Sequence, residues 1–311
     1  MIEVLFQTLP FFAIIGLGYG AGRTGFFSEG ATAALTKFVF YFALSAMLFR
    51  FSATLSLGDL LDRNFILAYL AGTTTVYLIV AIVALLRRRG LAEAAIEAQC
   101  GAIGNTGFLG LPLLAALMGE QSIGHNMVVL SIDLIVFSSL IVILVTGSRE
   151  GQLSPRILVT VGLGLVRNPM IVSIVLGLAW SSTSQPLPRP VDDLLQILGA
   201  AATPGALFAI GASLASKSAE RFAVAGWLSF AKLILHPACV AVAALFIWPV
   251  EPYAAAVMIA AASLPVAGNI YMLAQHYGVA PARVSASILI STALSIVTVT
   301  TVIAWVTTMV P

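Results

Sequence analysis

Long apolar runs, separated by short clusters of charge and turn-forming residues, fill the chain from end to end. A helix needs about 20 apolar residues to cross the hydrocarbon core of a bilayer. Cutting at the charges and turn formers predicts ten crossing helices, over residues 3–22, 32–52, 64–86, 92–118, 124–147, 168–183, 192–216, 222–248, 252–276 and 281–309. The expected fold class is an all-α membrane protein. The first run follows Glu3 with neither a basic leader nor a small-residue cleavage site, so it reads as a span kept in the mature protein.

Two runs are interrupted near their centres. The fourth, AQCGAIGNTGFLGLPLLAALMG, carries Gly104, Asn105, Gly107, Gly110 and Pro112; the ninth contains SLPVAGNIYMLAQHYG, with Pro265, Gly268 and Asn269. Unwound backbone in hydrocarbon leaves N–H and C=O groups unpaired at several kcal/mol each, so it is tolerated only against protein or a wet cavity. The half-helix that restarts after a break points its first amides, and about half a positive charge, into that cavity. Such an end suits an anion. Asn105 and Asn269 add donors and acceptors without a buried charge. Helix packing through small residues would explain the glycines but not both asparagines and both prolines.

The two interrupted runs correspond. A shift of about 159 residues lays LSAMLFRFSATLS of the second run over TPGALFAIGASLA of the seventh, and the fourth run over the ninth. Five spans per half is an odd number, so the copies insert upside down: residues 1–147 form one repeat and 168–311 the other, an inverted 5+5 repeat. Between them, 148–167 reads as a short cytoplasmic connection, in which 155–167 either lies along the inner surface or lengthens the sixth helix. Lys and Arg are retained on the cytoplasmic side. Arg23, Arg87, Arg88, Arg89, Arg149, Arg156, Lys217, Arg221 and Arg283 share one side, against Arg63 and Arg189 on the other and Arg50 near a helix end there. That asymmetry places both termini outside.

Composition confirms the solvent. Hydrophobic residues make up 60% of the 311 and charged ones 9%, where soluble domains carry roughly 25% charge. A net charge of +2 points to no nucleic-acid partner. Cys100 and Cys239 stand in separate apolar runs with no zinc-ligand spacing, so neither a disulfide framework nor a metal is expected. No HExxH, P-loop or dinucleotide signature occurs, which argues against an enzyme and calls for no cofactor. Any driving force is then an ion gradient, the membrane potential or the substrate's own gradient.

The pair GNTGFLGLPLL and SLPVAGNIYMLAQHYG, in a chain of ten spans with this symmetry, resembles the auxin efflux carrier family, whose bacterial members include assigned malonate and malate permeases. The resemblance covers essentially the whole chain. It implies a fold like that of the bile-acid/sodium symporters, with helices four and nine crossing at their breaks. It further implies a scaffold of spans one, two, six and seven, a mobile core of spans three to five and eight to ten, elevator-type motion, a homodimer through the scaffold, and a cell inner membrane location. The short stretch at 148–156 departs from the long hydrophilic loop of most plant members and puts plant-style phosphoregulation in doubt.

The candidate substrate contacts are Asn105, Thr106, Gly107, Gly268, Asn269 and Ile270, with Gly104, Gly110, Pro112 and Pro265 making the breaks. Asp133 lies mid-span, where a charge is costly and defaults to a functional hypothesis. By the resemblance it faces the crossover and contacts substrate or a proton; the alternative is a structural pair with a neighbouring helix. Lys232 and His236, four apart, share a helix face. Either they join the coupling chemistry, with Lys232 neutralising Asp133 or a substrate carboxylate, or Lys232 merely faces a wet interior. Glu97, Gln275 and His276 read as interfacial, with roles in an entrance or inner vestibule as the alternatives. The expected activity is secondary transport of small organic anions, carboxylates such as malonate, malate or auxin-like acids, with proton coupling or potential drive. A sodium-coupled bile-acid-type symporter and a membrane ligand sensor are the rivals.

Overall fold

The computed structural model describes residues 2–54, 62–150, 155–215 and 222–309. Those residues are helical apart from their connections, and their only β-type pairing is one isolated bridge. In chain order the helices are α1 (Ile2–Arg23), α2 (Glu29–Thr54), α3 (Arg63–Leu86), α4 (Leu91–Ala102), α5 (Thr106–Met118), α6 (Ser122–Ser148), α7 (Pro155–Arg167), α8 (Pro169–Ser181), α9 (Arg189–Ala215), α10 (Ala223–Ile247), α11 (Pro252–Ala262), α12 (Asn269–Tyr277) and α13 (Pro281–Val306). Six are long and apolar enough to cross a membrane by themselves: α2, α3, α6, α9, α10 and α13. Each lies within a few residues of an expected span. The expected fourth and ninth spans are each two shorter helices, α4 with α5 and α11 with α12.

Short polar residues set the helix starts. Ser28, Asp62, Asn168 and Glu251 each accept a hydrogen bond from a first-turn amide, and Pro169, Pro252 and Pro281 follow where a missing N–H costs nothing. The segment 155–167 is helical but does not extend the next helix: Val161–Arg167 meets Pro169–Ser181 at a bend of 68°. Asn168 and Pro169 cause that break, since the residue before a proline avoids the helical region. Lys217 and Arg221 lie outside the described residues, as do the side chains of Arg149, Arg156 and Gln275.

Glycine contacts divide the helices into two groups. A Cβ on Gly18 would sit 2.2 Å from the Phe208 carbonyl, and one on Gly211 would sit 1.9 Å from that of Ile15, so α1 and α9 touch backbone to backbone. Gly177 meets Phe49 and Ser52 of α2, Gly199 meets Met47, and Arg50 of α2 pairs with Asp192 of α9 at 2.6 Å. These contacts unite α1, α2, α8 and α9. In the second group Gly72 on α3 abuts Val240 on α10, Gly101 on α4 abuts Val80 on α3, and Gly110 on α5 abuts Leu264. Between the groups, Gly107 meets the tip of Met170, Phe40 stacks on Phe108 with centroids 6.3 Å apart, and α1 and α9 also pack against α5 and α13.

Two expectations are corrected here. Gly110 and Pro112 do not make the break; they stand in the second half-helix, where Pro112 occupies the first turn after a π-turn and Gly110 admits Leu264. Glu97 does not face a surface as expected. It is 1% exposed and paired with both Arg87 and Arg283, while Arg283 also reaches Glu93 at 3.1 Å. A carboxylate at that depth persists because two guanidiniums meet it.

Candidate functional site

The chain leaves helical geometry at Ile103–Asn105 and again at Ser263–Gly268, and these two breaks are bonded to one another. Gly104 and Val266 form the antiparallel bridge; the Asn105 amide donates to the Pro265 carbonyl at 2.8 Å and the Ala267 amide to the Ile103 carbonyl at 3.2 Å. Val266 donates to Ser291 Oγ at 3.1 Å. Unwound backbone is thus satisfied by the other break and by α13, as burial in hydrocarbon requires. Asn105 caps α5, its Oδ1 accepting from the Phe108 amide at 3.3 Å, while the amides of Thr106 and Gly107 meet no backbone acceptor. Those two groups are the electropositive start of a half-helix.

Around the breaks lies a buried polar network drawn from three more helices. Tyr69 on α3 donates to Asp133 Oδ1 at 2.8 Å, Thr106 donates to Oδ2 at 3.4 Å, and Asn126 on α6 donates to the Thr106 carbonyl at 3.0 Å. Lys232 on α10 donates to the Ala262 carbonyl at 2.6 Å and contacts His236 Nδ1 at 3.0 Å, whose Nε2 meets Thr73 Oγ1 at 3.0 Å. Ala262 ends α11, so the lysine caps the negative end of a half-helix. The same ammonium lies 3.2 Å from where a Cβ on Gly104 would stand. Glycine there keeps backbone and cation adjacent.

Wider helical turns aim these side chains. Asp133 opens a π-turn over Asp133–Phe137, Lys232 lies in one over Ala231–Leu235, and Thr106 opens a third over Thr106–Gly110. Single π-turns recur at functional sites because the extra residue rotates the following face.

The sequence candidates separate under this geometry. Asn105, Thr106, Asp133, Lys232 and His236 are all buried, at 7% exposure or less. Gly268 and Asn269 are exposed, and among the described residues no hydrogen bond holds the Asn269 side chain, whereas Ile270 beside them is fully buried. The two asparagines are therefore not equivalent: one is a buried cap, the other borders open space. Lys232 and Asp133 make no direct ion pair, although each feels the other's charge. A structural partner for Asp133 exists too, in Tyr69. His276 is exposed, as an interfacial residue would be. Tyr69, Thr73, Asn126 and Ser291 were not singled out by sequence. A hydroxyl pair four residues apart in LAYLAGTTTVY was the available signal for the first two.

A family model described as "Membrane transport protein" matches residues 3–303. The chain is 33% identical over 306 residues, 96% of its length and 95% of the relative's, to a Rhizobium meliloti (strain 1021) protein named "Putative malonate transporter". It is 29% identical over 247 residues, 74% of each chain, to an Escherichia coli (strain K12) protein named "Uncharacterized transporter YfdV". With 26% identity, 74% of the chain also aligns with 28% of a Mus musculus "Lysosomal cholesterol signaling protein".

Proposed function

Because the chain belongs to the membrane transport protein family, we propose that it is a secondary carrier of small carboxylates, malonate foremost. The observation that carries this reading is the pair of hydrogen-bonded helix breaks, with the unbonded Thr106 and Gly107 amides on one side and the Lys232 ammonium against Gly104 on the other. Amides and ammonium suit an anion, and the Rhizobium relative is named for malonate. Malonate should raise the thermal midpoint of the purified chain, since a ligand of the folded state alone stabilises it. Asn105→Ala removes the cap on the Phe108 amide, worth about 0.5–2 kcal/mol, and Asn269→Ala removes the amide bordering the open side. Saturable malonate uptake into proteoliposomes should fall about tenfold or more in the double variant; parental uptake there would remove the assignment of the site.

In this reading the chain spans an inner membrane ten times with both termini outside, as two inverted five-helix repeats. The group of α1, α2, α8 and α9 acts as scaffold and the remainder moves as an elevator. The backbone-to-backbone approach of α1 to α9 and of α8 to α2 supports treating those four helices as one unit. Orientation from the basic residues puts the exposed Gly268 and Asn269 on the inner half of the ninth span, which fits an inward-facing carrier. Joining Phe40→Cys to Phe108→Cys with a short thiol-specific crosslinker, in a chain freed of Cys100 and Cys239, should arrest uptake while leaving malonate binding. Full uptake in the crosslinked protein would exclude movement between the groups.

A homodimer is the proposed assembly. A shallow groove of about 670 Å³ on α1 is lined by Ala13, Gly16, Leu17, Gly20, Thr24 and Phe26, and nothing stands within 4 Å of a Cβ on Gly16 or Gly20. Small residues spaced four apart let two membrane helices approach closely. Gly16→Cys should yield disulfide-linked dimers in native membranes; a crosslinked species of monomer mass only would place the contact elsewhere. One observation favours sodium as a coupling ion: Asn126 Oδ1 is buried without a hydrogen-bond partner. Uptake that stops in sodium-free buffer would support that alternative, and equal uptake would dismiss it.

A further inference from the structure

The buried groups around the crossover form one directed chain. Lys232 donates to His236 Nδ1, so Nε2 bears the hydrogen that meets Thr73 Oγ1. Thr73 stands one turn beyond Tyr69 on the same face of α3. Tyr69 in turn donates to Asp133 Oδ1. The three hydrogen bonds of the row each have the donor on the lysine side and the acceptor on the aspartate side, the step from Thr73 to Tyr69 is one helical turn, and all five residues are 2% exposed or less. Such a row lets a proton pass between a cation and a carboxylate that never touch.

Charge counting says when it would pass. With His236 neutral, the empty site balances one lysine against one aspartate. An ammonium has three N–H groups; two are taken by Ala262 and His236, which leaves the third beside bare Gly104. A substrate carboxylate there completes the ammonium but leaves the membrane centre with one negative charge in excess. Uncompensated charge at that depth is costly enough that an ionisable neighbour neutralises instead.

We propose that each carboxylate bound beside Gly104 brings one proton from water into this chain, delivered through Lys232, His236, Thr73 and Tyr69 and held on Asp133. This rests on the carboxylate reading above and assigns its coupling. The balance closes for each carboxylate seated beside Gly104: an O–H bond forms on Asp133, that carboxylate adds one negative charge, and the proton cancels it, while the second negative charge of a dicarboxylate rests on the Thr106 and Gly107 amides. Asp133 is faced by Tyr69 of α3 and Thr106 of α5, with Lys232 of α10 at longer range. Lys232 is faced by His236 on its own helix, by Asp133, and by the uncharged carbonyls of Ala261 and Ala262. From α13 the neighbouring group is the Ser291 hydroxyl on the break, while Glu97, Cys100 and Arg283 form a separate cluster.

The test is calorimetric titration of malonate into the purified chain, in two buffers of different ionisation heat, at a pH where both malonate carboxyls are ionised. The wild type should take up close to one proton per malonate, with affinity weakening about tenfold per pH unit as pH rises through the range of uptake. Asp133→Asn, checked for folding by its thermal midpoint, should bind malonate with no proton taken up. Zero protons in the wild type overturns the proposal; so does a full proton in Asp133→Asn, because the proton then sits on malonate or elsewhere. Thr73→Val should leave the final count at one but slow proton arrival about tenfold in stopped-flow with an indicator dye, and an unchanged rate removes the relay. If the folded wild type binds no carboxylate at all, the carboxylate reading fails and this proposal with it, an outcome distinct from binding without protons.

Discussion

Gly104→Val, compared with the parent chain at temperatures where both are folded, binds malonate about a hundredfold more weakly, on the order of 3 kcal/mol. The backbone offers no objection, because Gly104 is extended in the bridge to Val266 and is not among the glycines with positive φ. β-Branched residues sit well in extended chain. The objection is local: a Cβ there stands 3.2 Å from both Cε and Nζ of Lys232 and 3.4 Å from the Ala261 carbonyl, and the two γ-methyls must go further into the same space. Lys232 is fully buried between His236 and Ala262, so it cannot swing aside without losing both hydrogen bonds. Gly104→Ala should give an intermediate loss, since the flexible end of the lysine can yield a few tenths of an ångström. Malonate-induced thermal stabilisation reads both variants. Wild-type stabilisation in Gly104→Val would separate substrate from this corner of the crossover.

The second large effect concerns the fold. Gly211→Val should leave little monodisperse protein after extraction, with destabilisation of about 4 kcal/mol or more, the range reserved for gross overpacking. Its Cβ would stand 1.9 Å from the Ile15 carbonyl and 2.8 Å from the Tyr19 amide, and both obstacles are backbone. Gly18 has the reciprocal contact with Phe208, so α1 and α9 can relieve the clash only by separating along their length. Gly226→Ala is the control, since nothing stands within 4 Å of its Cβ. It should be neutral or slightly stabilising, because alanine is the better helix former by about 1 kcal/mol. Equal yields of Gly211→Val and Gly226→Ala would show that the α1–α9 contact contributes little.

How far the site could be read in advance differs by residue. Asn105 and Thr106 were legible because a Gly–Asn–Thr–Gly cluster in an apolar run has few physical explanations, and Asp133 because a lone carboxylate in such a run is costly anywhere except a site. Asn269 had the same sequence credentials as Asn105, yet it borders open space while Asn105 is buried as a cap. The symmetry expected from the sequence does not extend to these two side-chain environments, since Asn105 is buried as a cap and Asn269 is exposed. Glu97 read as interfacial from its place near the start of a span; its burial depends on Arg87 and on Arg283, 186 residues further along the chain. Tyr69 and Thr73 are ordinary residues in an apolar helix until Asp133 and His236 are brought to them. The π-turns that aim Asp133 and Lys232 leave no composition signature either.

The amino-acid sequence by itself determined the membrane class, the helix positions and the two interruptions. Each of these follows from local chemistry: an apolar run long enough to cross lipid must be helix, and prolines, glycines and asparagines clustered inside it must interrupt that helix. Only the tertiary structure decided that the interruptions bond to one another, that Lys232 caps one half-helix beside the other, and that a row of buried polar groups leads from it toward Asp133. Those facts depend on contacts between residues tens to more than a hundred positions apart, whose energies are set by which helices become neighbours. No local pattern along the chain encodes that choice.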